Sequence, residues 1–336
     1  MINRRHFIAS ASSIAIAGAV SGCGDPDEQE VVRPEGVPVG PFGKESTAEE
    51  VTAGIDLSGK TALVTGCNSG LGYETMRVLA MRGAHVIGAA RTLEKAETAC
   101  GSIEGRATPA VCELSELDSI AACGESVRAM DTPIDMLILN AGIMALPELQ
   151  QVRGLEMQFA VNHVGHFVLA NQLIEQVKAA PAGRVVVLSS SGHMFAPEAG
   201  IEFDNLSGER DYEPWKMYGT SKLANGLFSM QLTKRLADTN ATSNAVHPGI
   251  INTNLGRHFP WWQKIAASLI GWTFMKPVEA GAATQAYVAT APALAGISGH
   301  YFADCNPLLP DPRMLDEQMA AKLWAVSEEL AAGYLV

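Results

Sequence analysis

Short apolar, β-branched runs alternate with stretches of helical period along most of this chain. The runs at 61–66, 85–91, 108–114, 134–142, 184–190, 242–249 and 300–304 read as strands. They are apolar almost throughout rather than at every second position, so each is expected to be covered on both faces. Between them the spacing predicts helices, one over 73–81 and another through 217–228. Strands and helices in this order make an α/β protein, a doubly wound parallel sheet of Rossmann type in a single domain beginning near Asp56. Nothing after the first 23 residues is apolar for long enough to span a bilayer.

Composition adds exclusions. Of 336 residues 47% are hydrophobic, ample for one core, and the net charge of −12 would repel a phosphate backbone, so nucleic acid is not an expected partner. The six cysteines, Cys23, Cys67, Cys100, Cys112, Cys123 and Cys305, include no Cys-x-x-Cys pair, and no histidine cluster has ligand spacing. No metal is expected, and Cys100, Cys112 and Cys123 read as free, buried thiols.

Residues 1–23 read as a leader. Arg4-Arg5 precedes Phe7-Ile8, a segment of apolar and small residues runs from Ile8 to Val20, and Val20-Ser21-Gly22-Cys23 closes it. The first part resembles a twin-arginine signal and the last a lipobox, in which the cysteine is lipidated; cleavage at Ala17-Gly18-Ala19 is the alternative. The resemblance implies export by the twin-arginine route, as a periplasmic or membrane-anchored lipoprotein tethered through Cys23, or a cytoplasmic protein if the leader is not used. That route carries folded proteins, so a cofactor could cross already bound. Residues 24–55, rich in Pro, Gly, Glu and Val without a sustained period, are expected to be a flexible linker to the domain at 56–336.

The first strand runs into Gly66-Cys67-Asn68-Ser69-Gly70-Leu71-Gly72, with a helix behind it. Gly66, Gly70 and Gly72 permit a tight turn and close approach of backbone to a pyrophosphate at the helix N-terminus; Asn68, Ser69 and Leu71 complete that turn. At the end of the second strand an acidic residue would accept from a ribose hydroxyl, but the chain offers Gly88-Ala89-Ala90-Arg91. Arg91 suits a 2′-phosphate, which favours NADP(H) over NAD(H), although an arginine at a strand end is often simply solvated. Glu113 follows the third strand, placed either to accept from an adenine amino group or to serve the surface. Asn140-Ala141-Gly142 closes the fourth beside the pyrophosphate and nicotinamide ribose.

Tyr218 and Lys222 lie one helical turn apart in "MYGTSKLANGLF". An ammonium near a phenol is expected to lower its pKa toward neutrality, making it a general acid or base for a carbonyl oxygen. The ordered set of glycine turn, Asn140-Ala141-Gly142, Val187-Leu188-Ser189-Ser190 and Tyr218-x-x-x-Lys222 resembles the short-chain dehydrogenase/reductase family over about 56–330. By that resemblance Tyr218 is the general acid or base, Lys222 binds the nicotinamide ribose and lowers the tyrosine pKa, and Ser190 polarises the substrate carbonyl. Ser189 and Ser191 remain alternatives to Ser190. The resemblance further implies that Asn162 supports a water relay to the lysine and that Pro248, Gly249 and Thr253 pack near the nicotinamide.

Ser190 and Tyr218 are 28 positions apart, longer than the compact family spacing. The added "EFDNLSGERDYEPWKM", with "SNAVHPG", "YFADC" and "KLWAVSEEL", resembles the retinol dehydrogenase and WW-domain-containing oxidoreductase subgroup. The family resemblance places a substrate lid over about 250–277, where the chain holds Phe259, Trp261, Trp262, Leu269, Trp272 and Phe274. These either line a pocket for a lipophilic retinoid-, steroid-, terpenoid- or long-chain carbonyl-like substrate, or pack against core, partner or lipid. The expected activity is NADP(H)-dependent interconversion of a carbonyl and an alcohol. A redox-inactive nucleotide-binding or sensory lipoprotein on the same fold is the alternative. A homodimer or homotetramer is implied by resemblance alone.

Overall fold

Seven parallel strands and one antiparallel edge strand make a single eight-stranded sheet in the computed structural model, which describes residues 33–251 and 276–336. In chain order the strands are β1 (Thr61–Thr65), β2 (His85–Ala90), β3 (Arg106–Val111), β4 (Met136–Leu139), β5 (Arg184–Leu188), β6 (Thr242–His247), β7 (Tyr301–Ala303) and β8 (Asn306–Leu308). Their spatial order is β8-β7-β6-β5-β4-β1-β2-β3, so the winding reverses between β1 and β4. The doubly wound parallel sheet expected from the apolar runs is therefore present, with β8 added: Asn306-Pro307-Leu308 is too short and polar to stand out as a run. The third strand begins and ends earlier than the 108–114 expected, because Arg106 and Ala107 pair with His85 and Val86 while Glu113 lies beyond the ladder.

Helices cover both faces: α1 (Gly70–Met81), α2 (Leu93–Gly101), α3 (Leu117–Arg128), α4 (Gly165–Ala179), α5 (Pro214–Arg235), α6 (Ala283–Thr290) and α7 (Glu317–Leu330). α1 starts three residues before the expected 73–81, so Gly70, Leu71 and Gly72 form its first turn. Strand residues alternate between the two cores. Val64 and Ile138 face the core completed by Val78, Leu79 and Ala286, whereas Leu63 and Leu137 face the one with Phe167, Leu173 and Phe228. Among the described residues no helix is long and apolar enough to cross a membrane, and no group of His, Cys, Asp or Glu could hold a metal. Cys67, Cys100, Cys112, Cys123 and Cys305 are free and buried.

The expected linker needs correction from Arg33 onward. Ala48–Val51 forms a helical turn opened by a capping box, in which Thr47 Oγ1 accepts from Glu50 N–H and the Glu50 carboxylate accepts from Thr47 N–H at 2.8 Å. Val37, Ala48 and Val51 are buried in the core beside α6, and Phe42 meets the Tyr287 ring edge-on at 5.6 Å. Asn306 Nδ2 also donates to Phe42 O at 2.7 Å. Residues 33–55 are thus part of the folded body. The leader at 1–23, the start of the linker, Thr253 and the lid aromatics lie outside the described residues.

Candidate active site

The reversal of strand order opens a crevice at the C-terminal ends of β1 and β4, where such sheets bind ligands. The chain leaves β1 through Gly66 at φ 72° and enters α1 at Gly70 with φ 55°, both in the left-handed region that glycine tolerates. A Cβ on Gly66 would stand 3.1 Å from Ala141 Cα, and one on Gly72 would stand 2.5 Å from Asn140 Nδ2 and closer still to Gly66 O. The turn therefore presses directly on Asn140-Ala141. Thr65 locks the two together: its Oγ1 accepts from the N–H groups of Asn140 and Ala141 at 2.9 Å, and its carbonyl accepts from Asn140 Nδ2 at 2.8 Å. Ser69, the residue capping α1, makes no side-chain bond to the helix end, which leaves the first N–H groups available to an anion. Asn68 is exposed beside it.

Arg91, one residue past β2, is exposed and has no hydrogen-bond or ion-pair partner among the described residues. Glu113, half-buried after β3, accepts with Oε1 from Ser115 N at 3.1 Å and Ser115 Oγ at 2.9 Å.

Across the crevice α5 brings Tyr218 and Lys222 together. The helix starts at Pro214 because Glu213 accepts from Lys216 N–H at its N-cap. Both side chains are deeply buried, with 5% and 3% of their surface exposed. Lys222 Nζ donates to Leu188 O at 3.0 Å, and Asn225 Nδ2 donates to the same carbonyl at 3.0 Å. Ser190 accepts from Gly192 N–H at 3.0 Å, and its hydroxyl lies close enough to the Tyr218 phenol to draw the phenol's pKa downward. Ser189 is spoken for, since it is buried with Oγ donating to Lys222 O at 2.8 Å.

Asn162 sits in a π-helical turn, Ala160–Val164, at the entry to α4. Its Oδ1 accepts from Ile143 N–H at 2.8 Å, while Nδ2 donates to Ile143 O at 2.9 Å and Ser221 Oγ at 3.0 Å. Ser221 in turn donates to Tyr218 O at 2.7 Å. A Cβ on Gly142 would stand 3.1 Å from Asn162 Oδ1 and 3.6 Å from Lys222 Nζ, so the turn after β4 touches both. At the end of β6, His247 Nδ1 accepts from Ser191 N–H at 3.2 Å and Gly249 N–H at 3.4 Å, which places Pro248 and Gly249 beside the serine loop.

A model of the short chain dehydrogenases matches residues 60–264. Short-chain dehydrogenase TIC 32 B of Brassica napus is 41% identical over 303 residues, covering 86% of this chain and 94% of that one. Retinol dehydrogenase 14 of Homo sapiens is 39% identical over 292 residues, covering 81% and 86%. The human WW domain-containing oxidoreductase is 39% identical over 298 residues, covering 85% and 71%. A solved structure of an uncharacterised protein from Mycobacterium paratuberculosis superposes with a TM-score of 0.69 at 32% identity, covering 83% and 96%. This chain belongs to the short-chain dehydrogenase family. It is an NAD(P)-dependent dehydrogenase/reductase, related to the retinol dehydrogenases as its motifs implied.

The dehydrogenase has a site that fits a dinucleotide: a glycine cradle that any Cβ would fill, an uncapped helix end and, past β2, a cation without a partner among the described residues. Such a group supplies a hydride donor or acceptor. The protonation states differ from those expected of the Tyr-Lys pair. Burial pushes the Tyr218 phenol up to about 12, with the Ser190 hydrogen bond opposing it. Burial likewise brings Lys222 down to about 8. The phenol is raised rather than lowered because the ammonium, 5.7 Å from the ring centroid, is aimed at Leu188 O and is itself desolvated. At neutral pH the Tyr218 phenol therefore keeps its proton.

His166 escaped sequence reasoning. Its Nδ1–H donates to Asn162 O at 3.0 Å and its Nε2 faces Thr65 Oγ1 at 2.9 Å, so it joins the glycine turn to the asparagine. Burial holds it down to about 4, which keeps the ring neutral. The only signal in the sequence was its place four residues after Asn162 on the same helix.

Proposed function

We propose that the enzyme interconverts a carbonyl and an alcohol on a lipophilic small molecule, with NADP(H) as its cofactor. The observation that supports the substrate class is the apolar surface around the Ser190–Tyr218 pair. Met194 and Phe195, in the turn directly after Ser190, are 62% and 54% exposed, and Ile250 is 62% exposed. Trp215 bridges Phe195 and Tyr218, with ring centroids at 5.5 Å and 6.1 Å. Exposed apolar side chains crowded at a polar reacting centre suit a substrate with a hydrocarbon body and one carbonyl. In this reading Tyr218 moves the proton, Ser190 orients the carbonyl oxygen, and Lys222 with Asn162 holds the nicotinamide end.

NADP(H) rests on Arg91: no acidic residue stands at the end of β2, and the guanidinium is free to pair with a 2′-phosphate. Fluorescence titration with NADPH and NADH, followed by turnover with retinal, decanal and a steroid ketone, tests both points. Arg91→Ala is expected to weaken NADPH by on the order of tenfold while leaving NADH nearly unchanged. Equal affinity of the wild type for both dinucleotides would sink the Arg91 assignment, and turnover of hydrophilic carbonyls only would sink the substrate class. We further propose export through the twin-arginine leader with lipidation at Cys23, tested by fractionation and by labelling with a fatty-acid analogue in Cys23→Ser.

A further inference from the structure

The catalytic serine loop is clamped from outside by a C-terminal pair that the family motifs do not explain. Residues 191–197 follow Ser190 and lie against the helix of the reacting tyrosine. A Cβ on Gly192 would stand 2.6 Å from the Tyr218 ring, and one on Gly219 would stand 2.5 Å from Ala196 N and 2.8 Å from Gly192 O. The loop therefore touches α5 with no slack, and its position sets where Ser190 meets Tyr218.

Arg313 grips the same loop. Its Nη1 donates to Ala196 O at 2.9 Å and Pro197 O at 2.8 Å, while Nη2 reaches His193 O at 3.5 Å. Asp311 holds the guanidinium in that pose through a two-point contact, with Nε to Oδ1 at 2.9 Å and Nη2 to Oδ2 at 2.8 Å. The same carboxylate caps the turn Pro312–Leu315 by accepting from Arg313 N–H at 2.8 Å. Next to it Met314 is buried against Gly226 of α5, which anchors the pair to the catalytic helix. From within the loop His193 Nδ1–H donates to Ser190 O at 2.5 Å. One arginine thus gathers the carbonyls of the loop that carries Ser190, and a planar, bidentate guanidinium is the only cation that can reach them and Asp311 together.

We propose that Arg313, oriented by Asp311, is a positioning residue that fixes the 191–197 loop and so holds Ser190 in register with Tyr218. The catalytic part of this inference rests on the carbonyl–alcohol activity proposed above; the mechanical part does not. The full chain is compared with Arg313→Gln and the milder Arg313→Lys by hydrogen exchange, and by turnover of decanal with NADPH. Expected is faster exchange confined to 190–197, larger for Gln than Lys, with β1 and β4 unchanged. The kcat falls on the order of tenfold or more while the KM for NADPH holds, because the nucleotide turn is on other strands. In a Ser190→Ala background Arg313→Gln adds nothing further. Unchanged exchange at 190–197, or exchange raised throughout the body, overturns the proposal, as does a kcat loss that adds fully to that of Ser190→Ala. Local loosening in a protein that turns over no carbonyl leaves the clamp standing and defeats the proposed carbonyl–alcohol activity instead.

Discussion

Gly72→Ala puts the nucleotide cradle to a test whose sign is not obvious. Gly72 is the third residue of α1, and alanine inside a helix is ordinarily worth about 1 kcal/mol over glycine. Here the new Cβ would stand 2.5 Å from Asn140 Nδ2 and nearer to Gly66 O, against ordinary contacts of 3.4–4 Å. Turn and helix must therefore separate by about 1 Å, and neither is a flexible side chain end: one obstacle is backbone and the other is fixed by Thr65 O. Overpacking of this kind costs about 1–3 kcal/mol, enough to overcome the propensity gain. The expected net loss is about 1–2 kcal/mol, a drop in Tm of about 2 °C or more per kcal/mol. NADPH affinity, read by fluorescence titration, should fall more steeply, because the displaced backbone is the surface that meets the pyrophosphate. Gly101→Ala at the end of α2 is the control, since nothing lies within 4 Å of its Cβ, and it should be neutral or slightly stabilising. A Gly72→Ala protein as stable as wild type with undiminished affinity would refute the claim that the turn presses on Asn140.

Three further outcomes are expected. Tyr218→Phe should abolish proton delivery and lower turnover by at least about a hundredfold while NADPH binding persists, as measured by steady-state rates beside titration. Lys222, brought down to about 8 from an ordinary 10.5, carries a stability cost that is full below pH 8 and relieved as pH rises toward 10.5, because the unfolded chain binds the extra proton in that window. Lys222→Met should accordingly be more stable than wild type at pH 7, by up to about 3 kcal/mol, and the gap should narrow by pH 10 in urea melts; a gap that widens would contradict the burial argument. A chain beginning at residue 56 should lose on the order of 4 kcal/mol relative to one beginning at 33, since Val37, Val51 and the Phe42–Tyr287 contact go with the segment. Equal thermal midpoints for the two would show that segment to be dispensable.

What could be read from the sequence was whatever depends on local pattern. The strand runs and the glycine turn are legible because burial on both faces and tight backbone approach each dictate residue type over a few positions. Asn162, Ser190, Tyr218 and Lys222 were legible only as an ordered set, and the structure brings them close together: Asn162 and Lys222 both face Gly142, and the Tyr218 ring and Ser190 both face Gly192. The direction of the Tyr218 shift was not legible, because depth of burial and the aim of Lys222 Nζ at Leu188 O are tertiary facts. Nor was the local bonding of Glu113, one oxygen of which accepts from Ser115 two residues on. The docked segment at 33–55 was a different kind of miss: its Pro- and Gly-rich composition concealed Thr47-x-x-Glu50, a helix-start signature present in plain sequence.

The two margins of the sheet bear on how copies of the enzyme can meet. β3 and β8 are its edge strands, and each contains a proline, Pro109 in one and Pro307 in the other. A proline has no N–H to offer, so neither margin presents a complete ladder for an incoming strand. Strand-by-strand growth into a continuous intermolecular sheet is disfavoured at both ends.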